Sequence, residues 1–391
     1  MDSHLKVKIM VVDDEVDLEP LIRQKFRRQI RSEEYDFVFA HNGLEALAKL
    51  LENPDIGVIL SDINMPEMDG LTLLTKLKEL KNPSLKTVIV SAYGDMDNIR
   101  TAMNRGAFDF VTKPISFDDL EITINKTLEE ITMQRKAMHE HDQLISIRHD
   151  LNVAREIQQG ILPKTFPPFP NRKDFEIFAS MTAAKEVGGD FYDFFMIDSD
   201  RLGFVIGDVS GKGIPAAIFM AVSRTLIRAT GLKGMAAGEC LSYANNLLCN
   251  ESVSCMFVTV FYAIMNMKTG ELEYANAGHN PPYIIKGGSS IQMLESTGDI
   301  ILGCFEDQPF SSKRIQLSPN DGILLFTDGV TEAFNRADEV YSEPRLENLL
   351  VTLAGLAPHQ IVNAIAEDVN NFSSGVPQSD DITLLTLKYY G

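Results

Sequence analysis

The sequence predicts a multi-domain chain: an α/β doubly wound domain, a long helical coiled-coil connector, and an α+β layered β-sandwich domain. Three observations predict it. Apolar strand-like runs alternate with helix-like patterns up to about residue 125. From Phe117 to Leu162 there is no glycine before Gly160 and no proline before Pro163, and apolar residues recur at spacings of three and four. Beyond that run, β-rich segments punctuated by glycine are interrupted by only a few helical stretches. A chain of 391 residues is also too long for one ordinary domain. The divisions read as 1–125, 117–162 and 163–391.

Composition narrows the class. The balance of 45% hydrophobic and 23% charged residues suits a soluble globular protein. A formal net charge of -19 repels nucleic-acid phosphates, which disfavours DNA binding as the output. No apolar run approaches the ~18–20 residues that span a bilayer. Met1-Asp2-Ser3-His4 leads into a hydrophobic strand without a signal-peptide layout, so the expected location is cytoplasmic and off the membrane. Cys240, Cys249, Cys255 and Cys304 form no CxxC pair and are expected as buried thiols in a reducing compartment.

In the first domain, the apolar run Lys8–Val12 ends in Asp13-Asp14-Glu15. A helical pattern follows through Leu18, Leu21, Ile22 and Phe26, then a strand at Asp36–Ala40. Asn42-Gly43 marks a turn before a helix through Leu44, Leu47, Leu50 and Leu51. Strand Gly57–Leu60 ends in Ser61-Asp62, strand Thr87–Val90 in Ser91, and strand Asp109–Val111 in Thr112-Lys113-Pro114. In a parallel sheet, ligands bind beyond the strands' carboxyl ends. One site would therefore collect Asp13, Asp14, Asp62, Ser91 and Lys113. Clustered carboxylates invite a hard divalent cation, most simply Mg2+. A cation beside Asp62 would make that carboxylate a usable nucleophile toward a phosphoryl group. Lys113 and the Ser91 hydroxyl would contact phosphoryl oxygens. Any one of these aspartates alone would read as a solvated loop residue.

This stretch resembles the response-regulator receiver family, of flavodoxin-like fold, through VVDDE (11–15), SDINMPEMDG (61–70), Ser91-Ala92 and Lys113-Pro114. The resemblance implies phosphorylation of Asp62 by a sensor histidine kinase or phosphotransfer protein. It implies a magnesium site of Asp13, Asp14, Asp62 and the Asn64 carbonyl, with Phe110 as the aromatic switch residue.

The connector carries two heptad tracks. One runs through Leu120, Ile124, Thr127, Ile131, Gln134, Met138, His141 and Ile145; the other through Leu144, Ile147, Leu151, Ala154, Gln158 and Ile161. They hand over near 138–145, a phase break of the kind that alters supercoil winding. A parallel coiled-coil homodimer would cover the stripe; the alternative is that part of it packs on its own domains. The segment ISIRHDL (145–151) faintly resembles the phosphorylated-histidine segment of sensor kinases, but no ATP-binding boxes follow, and His149 reads as a solvated helix residue.

Strands in the last domain are expected at Phe175–Ser180, Asp193–Ile197, Leu202–Asp208, Phe257–Met265, Glu271–Ala277, Tyr283–Lys286, Gly322–Thr327 and Thr383–Tyr389. Helices are expected at Ala216–Thr230, Ala236–Cys249 and His359–Ser373. Acidic turns follow hydrophobic runs at Asp190, Asp208, Asp328 and Asp380-Asp381. Most Asp-Gly pairs are simply turns. Four carboxylates gathered by one β-scaffold would hold two divalent cations and activate a water for attack on a phosphate.

The domain resembles the metal-dependent, protein phosphatase 2C-like enzymes, in their bacterial SpoIIE-like (PPM-type) branch. The carriers are AREIQ…LP, GGDFYD (188–193), GDVSGKGIPAA (207–217), NAGHNPP (276–282), LLFTDGVTEAFN (324–335) and SDDITLL (379–385). The resemblance implies a serine/threonine phosphatase with two Mn2+ or Mg2+. Asp208 would bridge them beside the Val209 carbonyl, with Asp190, Asp328 and one of Asp380 and Asp381, the first favoured, completing the site. It further implies a phosphorylated anti-sigma-factor antagonist as substrate. Asn276, His279 and Asn280 read as a structural turn. The rival is an adaptor that has lost its metal ligands and binds a sigma factor; here every carboxylate of the motif remains.

Overall fold

The computed structural model describes residues 8–92, 94–251, 256–287 and 290–391, so the expectations for Cys255 and the first seven residues lie outside it. It divides into two compact units, 1–147 and 148–391. Among the described residues, no helix is long and apolar enough to cross a membrane.

The N-terminal unit runs β1 (Lys8–Val12), α1 (Leu18–Lys25), α2 (Arg27–Arg31), β2 (Asp36–Ala40), α3 (Gly43–Glu52), β3 (Ile56–Asp62), α4 (Gly70–Glu79), β4 (Lys86–Ala92), α5 (Met96–Arg105), β5 (Asp109–Lys113) and α6 (Phe117–Ile161). The sheet is parallel, ordered β2-β1-β3-β4-β5. Strand β3 is buried throughout, as a central parallel strand must be. Helix α4 starts beside the Asp62 carbonyl with Asp69 as its N-cap, accepting from Thr72 N–H. A Cβ added at Gly70 would stand 2.0 Å from that carbonyl oxygen. Gly70→Ala is therefore expected to destabilise this unit by about 1–3 kcal/mol or more. The readout is its unfolding midpoint in urea; an unchanged midpoint would contradict the close approach.

Helix α6 is continuous, as its composition predicts, but the proposed seam needs correction at both ends. Leu120, Ile124, Thr127 and Ile131 are buried, and the three apolar ones join the core formed by Ile9, Val11, Phe26 and Tyr35. Burying such a side chain contributes ~1.5–3 kcal/mol, so the N-terminal unit itself covers this track from Leu120 to Ile131. At the other end Gln158 is buried, bonded within the C-terminal unit. Residues 136–150 are exposed throughout, including Met138, His141, His149 and the apolar Leu144, Ile145 and Ile147. This middle stretch is the longest uninterrupted exposed run of the helix, and Ile122, Met133, Val153 and Ile157 outside it are exposed as well.

The C-terminal unit continues with β6 (Phe175–Thr182), β7 (Phe191–Met196), β8 (Arg201–Val209), α7 (Ile214–Gly231), α8 (Ala237–Glu251), β9 (Val258–Asn266), β10 (Glu271–Ala277), β11 (Tyr283–Ile285), β12 (Ile291–Met293), β13 (Lys313–Gln316), β14 (Gly322–Phe326), α9 (Asp328–Thr331), α10 (Glu343–Leu353), α11 (Pro358–Phe372) and β15 (Ile382–Tyr389). Two antiparallel sheets, β13-β10-β9-β8-β7 and β12-β11-β14-β15-β6, form the sandwich. One core joins both sheets with α7 and α8. A second lies under α10 and α11 on the other sheet. The predicted elements are present; α9, α10, β12 and β13 are additional. Leu346, Leu350 and Leu353 carry α10 at helical spacing. The thiol expectation holds for buried Cys240 only: Cys249 is half-buried, and Cys304 is exposed in the loop before β13.

Candidate functional sites

Parallel pairing places the carboxyl ends of β1, β3, β4 and β5 along one edge. That edge brings together Asp13, Asp14, Asp62, Ser91 and Lys113. One carboxylate oxygen from each of Asp13, Asp14 and Asp62 lies within 4.8 Å of the others. Lys113 Nζ reaches Asp62 at 2.7 Å, Asp13 at 2.9 Å and Glu15 at 3.0 Å. Burial alone would lower the Lys113 pKa; hydrogen bonds to Asp62, Asp13 and Glu15 outweigh it and raise it. Burial pushes the Asp13 carboxyl up. Asp13 Oδ2 is buried and faces the Lys113 ammonium at 2.9 Å. Three carboxylate oxygens this close together fit a hard cation with oxygen ligands. Ser91 is buried, its hydroxyl 3.4 Å from Asp95. Asn64 N–H donates to Asp62 at 3.3 Å. Phe110 on β5 is 37% exposed. Sequence reasoning missed Glu15 as a Lys113 partner, although it directly follows the acidic pair.

The second site lies at the ends of two antiparallel strand pairs. Phe191 pairs with Gly207, placing Asp190 and Asp208 at the same end of β7 and β8. Phe326 pairs with Leu384, which does the same for Asp328 and Asp380-Asp381 at β14 and β15. The sheets are stitched there by Asp190, whose Oδ2 accepts from Thr327 at 2.7 Å and Thr383 at 2.6 Å. Burial, then the charge of Asp208, pushes the Asp190 carboxyl well up. Burial and the charge of Asp328 push Asp208 up to about 7, with a hydrogen bond to Asp190 offsetting part. Burial, then Asp380, raises Asp328. These carboxyls crowd one another enough to need protons or cations, and their oxygen-only donor set suits Mn2+ or Mg2+. Among the described residues they do not reach the closeness of the N-terminal trio.

Asp381 and Asp380 are put to different uses. Asp381 is buried, and its carboxylate accepts from the backbone N–H groups of Ala184, Gly189 and Asp190 at 2.8, 2.7 and 3.3 Å. Asp380 pairs instead with Lys212, 2.8 Å away. Gly329 packs against the Asp381 carbonyl so closely that a Cβ there would stand 1.9 Å from its oxygen. The Asn276 side chain closes its turn by bonding both His279 N–H and the His279 carbonyl. The His279 ring lies between Thr259 (2.9 Å) and the Phe326 carbonyl (3.2 Å), and burial lowers its pKa to about 4. Lys212, Thr327 and Thr383 were not singled out in the sequence, and Gln158 was read only as a coiled-coil position; the threonines sit within two residues of the motif aspartates.

Residues 9–125 match the response regulator receiver domain, and residues 198–390 match stage II sporulation protein E (SpoIIE). The chain joins a receiver domain to a SpoIIE-type phosphatase domain. It is 30% identical over 267 residues to Protein IcfG of Synechocystis sp., covering 61% of this chain and 41% of that protein. Against phosphoserine phosphatase RsbU of Bacillus subtilis it is 28% identical over 277 residues, covering 69% of this chain and 80% of that one. The chain thus spans under half of IcfG and four-fifths of RsbU. The SiaA-PP2C domain of Pseudomonas aeruginosa shares the fold, with a TM-score of 0.57 at 20% identity over 63% of this chain and 98% of that one. The output domain is similar to the phosphoserine phosphatases RsbU and RsbP of Bacillus subtilis, each 28% identical to this chain. In the phosphatase domain, Asp190 and Asp208 flank β7 and the end of β8, while Asp328 and Asp380 flank β14 and β15.

Proposed function

We propose that this chain is a response regulator whose receiver, phosphorylated on Asp62 by a sensor histidine kinase or phosphotransfer protein, controls hydrolysis of phosphoserine or phosphothreonine on a partner protein. The observation that carries the reading is the meeting of Asp190, Asp208, Asp328 and Asp380 at one edge of the sandwich. Asp208, with the Val209 carbonyl, would bridge two Mn2+ or Mg2+ ions. Asp190, Asp328 and Asp380 would complete the set, and Asp381 would hold the Asp190 turn. Bound there, the cations supply a water of lowered pKa. Thr327 and Thr383 fix the Asp190 carboxyl. The water oxygen forms a bond to phosphorus as the phosphorus–serine oxygen bond breaks, and the serine oxygen leaves with a proton.

The substrate that the motif resemblance favours is a phosphorylated anti-sigma-factor antagonist. In the receiver, Asp13, Asp14, Asp62 and the Asn64 carbonyl would hold Mg2+. Ser91 and Lys113 would contact the phosphoryl group, and Phe110 would report it to the face formed by α5, β5 and the start of α6. Exposed residues 136–150 would pair a homodimer. Retention of all four carboxylates argues against the adaptor reading.

Phosphatase rates on a phosphoserine protein in Mn2+, with and without beryllofluoride on the receiver, test the control. A change of about 5–150-fold is expected from an ordinary interdomain coupling. Identical rates and identical oligomeric state would leave the receiver a passive tether.

A further inference from the structure

We propose that Lys212 binds the substrate's phosphoryl group and sets the affinity for phosphoprotein. The proposal rests on the phosphatase reading above. Lys212 lies in the loop between β8, which ends beside Asp208, and α7. Its ammonium is 2.8 Å from Asp380 Oδ2 and 2.5 Å from the Ser379 carbonyl oxygen. Among the described residues, no other lysine or arginine forms an ion pair with Asp190, Asp208, Asp328, Asp380 or Asp381.

Charge balance gives this cation its task. Four aspartates and two divalent ions sum to zero, so a phosphate monoester dianion arrives with its charge unmatched. A protein cation at the rim corrects that, and a charge-assisted hydrogen bond to phosphate is among the stronger polar contacts. Lys212 is placed to move. Its side chain is 42% exposed. Gly211 and Gly213 on either side have φ of +88° and +82°, with nothing within 4 Å of where a Cβ would stand. The ammonium sits on a flexible four-carbon stem, so it can change partner without the backbone moving. A cation held by Asp380 would compete with the ammonium for its oxygens and leave Lys212 available to phosphoryl oxygens. A lysine suits this better than a bidentate arginine, because a single flexible point charge can trade one oxygen for another.

Steady-state kinetics on a phosphoserine protein at saturating Mn2+ separate the outcomes, with isothermal titration of inorganic phosphate into the Mn2+-loaded full chain as a second readout. Lys212→Ala is expected to raise KM and weaken phosphate binding by about tenfold or more, with kcat changed much less. Lys212→Arg should recover most of both. The Mn2+ midpoint of Lys212→Ala, read as a thermal shift, should stay the same or fall, since a competing cation has left Asp380. Unchanged KM and phosphate affinity would overturn the proposal. So would a shifted Mn2+ midpoint with KM intact, which makes Lys212 only a counter-ion for Asp380. If the wild type shows no turnover, the phosphatase reading fails, while the phosphate titration still decides on Lys212.

Discussion

Asp208→Ala is expected to lower phosphatase turnover by well over 100-fold while the domain stays folded. Loss of a residue that merely supports a metal ligand costs ~10–100-fold; Asp208 would touch both ions, so its loss should exceed that range. Stability should not suffer, because Asp208 is crowded by other acids. Burial and Asp328 hold its carboxyl near 7, so without cations the wild type bears a repulsion that the variant lacks. Two measurements separate the cases. Mn2+ should raise the melting temperature of the wild type and leave Asp208→Ala nearly unmoved. Turnover of a phosphoserine protein should fall in the variant alone. A variant as active as wild type, or a wild type inert in Mn2+, would end the enzyme reading. Chelation should mimic the substitution, and added Mn2+ should restore only the wild type.

Much of this was legible in the sequence because chemistry there sits at strand ends. Asp13, Asp62, Ser91 and Lys113 each close an apolar run, and parallel pairing turns that regularity into one site. Asp208 and Asp328 close apolar strands in the same way, while Asp190 and Asp380 lie just before the antiparallel partners β7 and β15. What local pattern does not encode is which of two adjacent acids faces the site. Asp380 and Asp381 differ only in register, yet one pairs with exposed Lys212 and the other is consumed by three backbone N–H groups. Tertiary partners also override periodicity in the connector. Leu120, Ile124 and Ile131 keep heptad spacing, but helical spacing cannot distinguish a partner helix from the receiver's own sheet, and here the sheet covers them. Short edge strands such as β12, of three residues, carry too few alternating positions to be read at all.

The same limit conceals the residue with the second largest expected effect. Gln158 resembles a weak polar position in a coiled coil, yet its amide donates to the Gly188 carbonyl at 2.6 Å and accepts from Gly188 N–H at 3.0 Å. This reciprocal pair is 5% exposed at Gln158 and ties the end of α6 to the turn that carries Asp190. A shift or rotation of the helix end must therefore carry Gly188 with it or break both bonds. Gly188 has little room, since a Cβ there would stand 2.2 Å from Asp381 Oδ2. Gln158→Ala would leave two buried backbone groups unpaired, each costing ~1–3 kcal/mol. Turnover is expected to fall by ~10–100-fold, as for other residues that orient a metal ligand. The response to beryllofluoride on the receiver should shrink with it. Gln158→Glu keeps the acceptor for Gly188 N–H but loses the donor, so it should fall between. His149→Ala, on the exposed stretch of the same helix, should match wild type in basal turnover. If Gln158→Ala retains both turnover and the beryllofluoride response, control must reach the carboxylates by a route other than this amide pair. If only turnover falls, Gln158 orients the turn without transmitting the signal. Loss of both would make it the joint through which the helix acts on Asp190.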